Sequence, residues 1–143
     1  MTASGLDLGL GDPRRAGVYF VTAGDLPTLA MAARDAGLVA RRIDLQGCTG
    51  KQMLMLRLAA ALEFPAGSGR NWDALADLLR DLSWLPAPGH ALLFDAARDL
   101  READEAVFDT LLSVLDEAAQ ARAAWDAPLW AFLALPEDEF GQD

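Results

Sequence analysis

Hydrophobic and polar positions change their period several times along this chain, and the changes divide it into elements. Val18-Tyr19-Phe20-Val21-Thr22 is a short β-prone run bounded by Gly17 and Gly24. A helix is expected next. Asp25 can serve as its N-cap, Pro27 falls in the first turn, where proline is tolerated, and Gly37 suits the position just past the last turn. Val39, Ile43 and Leu45 mark a second strand with Arg42 and Asp44 on its other face, and Arg41 interrupts the alternation. Thr49 followed by Gln52 reads as a capping box, after which Leu54, Leu58 and Leu62 recur at helical spacing.

Residues 64–70 hold one Pro and two Gly and predict a loop. Asn71 can cap a helix over about 72–82, ended by Pro86, Pro88 and Gly89. Ala91-Leu92-Leu93-Phe94 is continuously apolar, as a strand buried on both faces would be. Val107, Leu111, Val114, Leu115 and Ala118 share one face of a long helix over about 104–124, and residues 129–133 form a last strand. The order β-α-β-α-α-β-α-β predicts an α/β fold: four strands in a mainly parallel sheet covered by helices. Residues 1–16 are expected to be a flexible leader, 17–136 a single domain and 137–143 an acidic tail.

At 143 residues the chain is about one domain long and can bury a core without disulfides or metals. A formal charge of −10 argues against nucleic acid as a direct partner, because phosphate binding needs clustered Lys and Arg; it favours a basic partner. No apolar run reaches the ~18 residues of a membrane span, and the N-terminus lacks the pattern of a secretory signal. The protein is therefore expected to be cytoplasmic, without a membrane partner, and a monomer when free.

Few residues suit catalysis. A single cysteine, Cys48, excludes a disulfide framework, and a single histidine, His90, excludes a His-rich metal site and argues against a Ser-His-Asp triad. Gly50-Lys51 resembles the end of a P-loop only superficially, since Leu45 stands where the first Gly belongs and Gln52 where the magnesium hydroxyl belongs. Gly67-Ser68-Gly69 follows no strand, as a dinucleotide loop should. No cofactor, metal or catalytic residue is expected.

The segment 71–84 is the informative one. At 100° per residue, Trp72, Leu75, Leu78, Leu79 and Leu82 fall within an arc of ~120°. Asp73, Asp77 and Asp81 fall opposite them at i, i+4 and i+8. Stacked carboxylates repel by a few tenths of a kcal/mol per pair, and only Asp73 gains from the helix N-terminus. The residues leave three readings open: an ordinary solvated face, a carboxylate pair for acid–base or metal chemistry, or a surface that recognises a basic site built to hold phosphate.

Phe64-Pro65, Gly69, Asn71-Trp72-Asp73-Ala74-Leu75, Asp77-Leu78-Leu79 and Trp84 together resemble the barstar family of ribonuclease inhibitors. The similarity spans about 38–135, leaving 17–37 as an N-terminal addition. The resemblance implies a barstar-like fold and a binding protein rather than an enzyme. It implies an inhibitor of a small basic ribonuclease, of toxin–immunity type, that inserts a helix and the preceding loop into the active site. Asp77 would stand where a substrate phosphate binds, Asp73 would be a second acidic contact, Asn71 would lie at the loop–helix junction, and Glu117 would add a further carboxylate. The family's type member has aromatic residues in the loop where this chain has Gly67 and Ser68 and a Trp where this chain has Ala76, and Arg80 and Asp81 replace small or neutral residues. Another basic protein toxin fits the same chemistry. A barstar-fold binding or regulatory module for a non-ribonuclease protein is the alternative.

Overall fold

Among the residues the computed structural model describes, 9, 10 and 12–137, four strands form one parallel sheet in the order β1-β4-β3-β2. They are β1 (Val18–Val21), β2 (Val39–Asp44), β3 (His90–Asp95) and β4 (Leu129–Ala134). The helices are α1 (Leu26–Asp35), α2 (Lys51–Leu62), α3 (Trp72–Asp81), α4 (Ala97–Ala103) and α5 (Glu105–Ala123). Most of the expected leader, and the expected tail beyond Glu137, lie outside the described residues. The described part of the leader is tied to the fold. Leu10 is buried, and Asp12 caps a 3-10 turn at Pro13–Arg15 by accepting from the Arg14 N–H at 3.0 Å.

The chain crosses the sheet in one direction from β1 to β2 and returns through β3 to β4. Parallel crossovers are right-handed almost without exception, so the reversal sends the helices to opposite faces. Leu26, Leu29, Ala30 and Ala33 of α1 accordingly pack with Leu93, Trp130 and Phe132 on one face. Leu54 and Leu58 of α2, Leu75 and Leu79 of α3 and Leu111 and Leu115 of α5 pack with Ile43, Leu92, Phe94 and Leu133 on the other. Alternate residues of β3 and β4 serve the two faces, which is why residues 91–94 of β3 and all of β4 are continuously apolar. β1 pairs with β4, from Val18 against Ala131 to Val21 against Ala134, and so covers that strand's outer edge. β2 forms the other edge, where Arg42 bridges Asp95 at 2.6 Å and Arg41 reaches Glu63 and the Ala61 carbonyl at the end of α2.

Local detail differs from expectation at three helix starts. Asp25 does stand at the N-cap position of α1, but its side chain caps nothing there: its carboxylate turns back to accept from the Thr22 N–H at 3.2 Å, and a 3-10 turn at Ala23–Asp25 precedes the helix. The Thr49–Gln52 capping box does not form, because Gly50 takes the cap position and the Thr49 hydroxyl donates to Met53 Sδ at 3.4 Å. The helix α4 was not expected. It follows Ala96, which holds a left-handed conformation and offers no capping side chain, so no signal marks its start.

Candidate partner-binding face

The helix α3 begins at Asn71, whose Oδ1 accepts from the Ala74 N–H at 2.8 Å. This satisfies one of the donors every helix start leaves free. Leu75 and Leu79 are fully buried. Trp72 and Leu78 are only half-buried, so they border the core rather than lie within it. Leu82, buried and left-handed at φ 48°, ends the helix with its N–H on the Leu78 carbonyl. This inward face presents Asp73, Asp77 and Asp81 to solvent. Arg80, one turn along from Asp77, forms an ion pair with its carboxylate. Asp81 accepts from the Ser83 hydroxyl at 3.2 Å.

The loop before α3 is anchored from beneath. Trp84 Nε1 donates to the Leu62 carbonyl at 2.8 Å, and Phe64 meets the Trp84 ring edge-on at 5.8 Å. Ser68 Oγ donates to the Pro65 carbonyl at 2.6 Å. Gly67 has φ 84°, a conformation in which any side chain is strained. A glycine at this position therefore accords with the backbone that an aromatic residue would oppose. Ala76 is half-buried against the core, and Lys51 Nζ lies 5.8 Å from the Trp72 ring centroid.

The far end of α3 is fixed by a residue the sequence reading passed over. Arg122 of α5 is only 4% exposed. Its Nη1 donates to the carbonyls of Arg80 at 3.0 Å and Asp81 at 3.2 Å, which the helix end leaves without intrahelical partners. Its Nη2 lies 3.2 Å from His90 Nδ1, and His90 Nε2 lies 2.7 Å from the Leu85 carbonyl. A carbonyl can only accept, so Nε2 carries the proton and Nδ1 accepts from Arg122. Burial pulls His90 below its ordinary pKa, and the Arg122 and Arg41 cations add to that, against the Leu85 hydrogen bond. Burial also lowers Arg122, opposed by the Asp81 carboxylate. Arg122 stands where a core residue of α5 would: Leu111, Leu115 and Ala118 precede it at 11, 7 and 4 residues. That placement is the signal that could have found it.

Asp77, Arg80 and Asp81 together with Arg122, Trp125 and Ala127 line a shallow, open hollow. A second depression is formed by the loop itself, around Gly67 and Ser68. Glu117 is exposed on α5 but lies about 140° around the helix from Arg122, and it does not line the hollow. The structure thus brings Asp77, Arg80 and Asp81 together, places Asn71 and Asp73 at the other end of the same helix, and leaves Glu117 apart. Exposed carboxylates with no desolvated cleft around them are poorly suited to acid–base work and well suited to meeting cations. Among the described residues, no three of His, Cys, Asp and Glu converge as a metal site would require, and no helix is long and apolar enough to cross a membrane.

The family described as Barstar (barnase inhibitor) matches residues 38–134, from the residue before β2 to the end of β4. No curated protein matches the chain.

Proposed function

The chain belongs to the barstar family, and from that premise we propose that it is an inhibitor of a small basic ribonuclease, whose active site it blocks with the outward face of α3. One observation carries the reading. Three carboxylates stand one turn apart on a helix held at both ends, by the Asn71 cap and by Arg122. A ribonuclease site is built of cations that bind a polyanion. A carboxylate already fixed in space can occupy a phosphate position without the cost of ordering a loop. Asp77, in mid-helix, takes that position, with Asp73 and Asp81 flanking it. The net charge of −10 adds steering toward a basic enzyme, an effect that salt weakens. In this role the chain acts by binding, performs no catalysis and works inside the cell that makes it.

Paired affinity capture tests this, with the wild-type chain and Asp77→Ala as baits in lysate and culture medium of the source cell. The expected result is a basic ribonuclease on the first bait, depleted from the second. Truncating a central interface carboxylate of this kind costs about 2 kcal/mol or more, a magnitude carried over from measured interfaces, the family's own among them. Equal retention of the same partners on both baits would remove Asp77 from the interface. A specific partner that is not a ribonuclease would select the alternative, a binding or regulatory module on the same fold.

A further inference from the structure

Residues 67, 68 and 76 bring no aromatic side chain to the loop or to the outward side of α3, yet a tryptophan reaches that face from elsewhere in the chain. Trp125 lies in the turn between α5 and β4 and borders the hollow with Asp77, Arg80 and Asp81. It is 62% exposed, more than any other described aromatic side chain. Its backbone is not slack. Trp125 N–H donates to the Arg122 carbonyl at 3.0 Å, Asp126 N–H to Ala123 at 3.1 Å and Ala127 N–H to Arg122 at 3.0 Å. Arg122 in turn is bonded to the end of α3. The backbone that carries the indole is therefore held at a fixed place beside the end of α3.

Resting on the inhibitor reading, we propose that Trp125 is the aromatic anchor of this interface. Its indole and the carboxylates of Asp77 and Asp81 together receive one basic side chain, an arginine in preference to a lysine, from a protein partner. A guanidinium is planar and weakly hydrated, so it can lie on an indole face while its edge forks to a carboxylate. An ammonium is a hydrated point charge and gains less from the ring. In the free protein Arg80 Nη2 already pairs with one carboxylate oxygen of Asp77, so a guanidinium is accepted at this end of the helix. Central aromatic anchors supply much of the energy of protein interfaces, and a tryptophan has only two side-chain torsions to order on binding.

The test uses the full chain labelled with 5-fluorotryptophan and followed by fluorine NMR. Its four tryptophans give four resonances, and Trp125→Phe assigns the one of interest. The probe is acetyl-Arg-Ala-Arg-amide, with acetyl-Gln-Ala-Gln-amide as control at matched ionic strength. The Trp125 resonance should move saturably with the arginine peptide alone, and Asp81→Asn should weaken the apparent affinity at least threefold. A resonance that stays still, moves equally with the glutamine peptide, or ignores Asp81→Asn overturns the proposal. Trp125→Ala, truncated at an exposed site, should also bind the captured ribonuclease on the order of thirtyfold more weakly. A ribonuclease held equally by wild type and Trp125→Ala discards the anchor and leaves the inhibitor reading standing. A saturable Trp125 shift in a chain that retains no ribonuclease discards the inhibitor reading and leaves the arginine site.

Discussion

In the free protein Asp77 is already neutralised in part by Arg80 on its own helix, so a basic partner must compete with that pair. Both side chains are well exposed, and pairs of this sort contribute about 0.2–1 kcal/mol. Arg80→Ala should therefore tighten ribonuclease binding by up to about fivefold. A weakened complex would show instead that Arg80 makes its own contact with the enzyme. His90 supplies a second residue-scale prediction. Its folded-state pKa is depressed by burial, so the unfolded chain holds more protons as pH falls through the ordinary histidine range near ~6.5. The stability it contributes is complete above that range and is lost as pH drops toward the folded value. The urea midpoint should fall between pH 7.5 and pH 5.5, and fall less in His90→Gln. An equal fall in both proteins would assign the effect to other groups, since this is the chain's one histidine.

At the scale of elements, α3 was the most legible part of the chain. Its leucines recur at helical spacing, Asn71 is a strong cap and the aspartates fall on the opposite side. The difference lies at its edge, where Leu78 shares the face of Leu75 in projection but is only half-buried. Leu75→Ala should accordingly cost about 2–5 kcal/mol in chemical denaturation, and Leu78→Ala about 1 kcal/mol. Equal losses would put Leu78 in the core after all. What was not legible depends on tertiary placement. Gly50 displaced Thr49 as a cap, α4 began without one, and Trp125 meets the α3 face where core packing and Arg122 join α5 to α3. No local period carries such information, whereas the buried arginine on an apolar helix face could have raised the question.

At the scale of the whole molecule, the segment ahead of the family match is built into the fold. β1 covers the outer edge of β4, and α1 covers Leu93, Trp130 and Phe132 on the sheet face turned away from α2–α5. A chain cut to residues 38–143 would expose an unpaired strand edge beside a large apolar face. We expect it to self-associate or precipitate in size-exclusion chromatography. A monomeric fragment melting at the temperature of the full chain would show that the first 37 residues are dispensable for stability.

If the chain is a ribonuclease inhibitor, the outward carboxylates of α3 occupy the phosphate positions of the enzyme. RNA cleavage by the ribonuclease captured on the wild-type bait tests it most directly, with wild-type chain or Asp77→Ala titrated into the reaction at several RNA concentrations. Rising RNA should relieve the inhibition by wild type, and the inhibitory concentration should rise on the order of thirtyfold or more for Asp77→Ala. Cleavage that continues unchanged in the presence of bound wild-type chain, or equal inhibition by the two proteins, would contradict it.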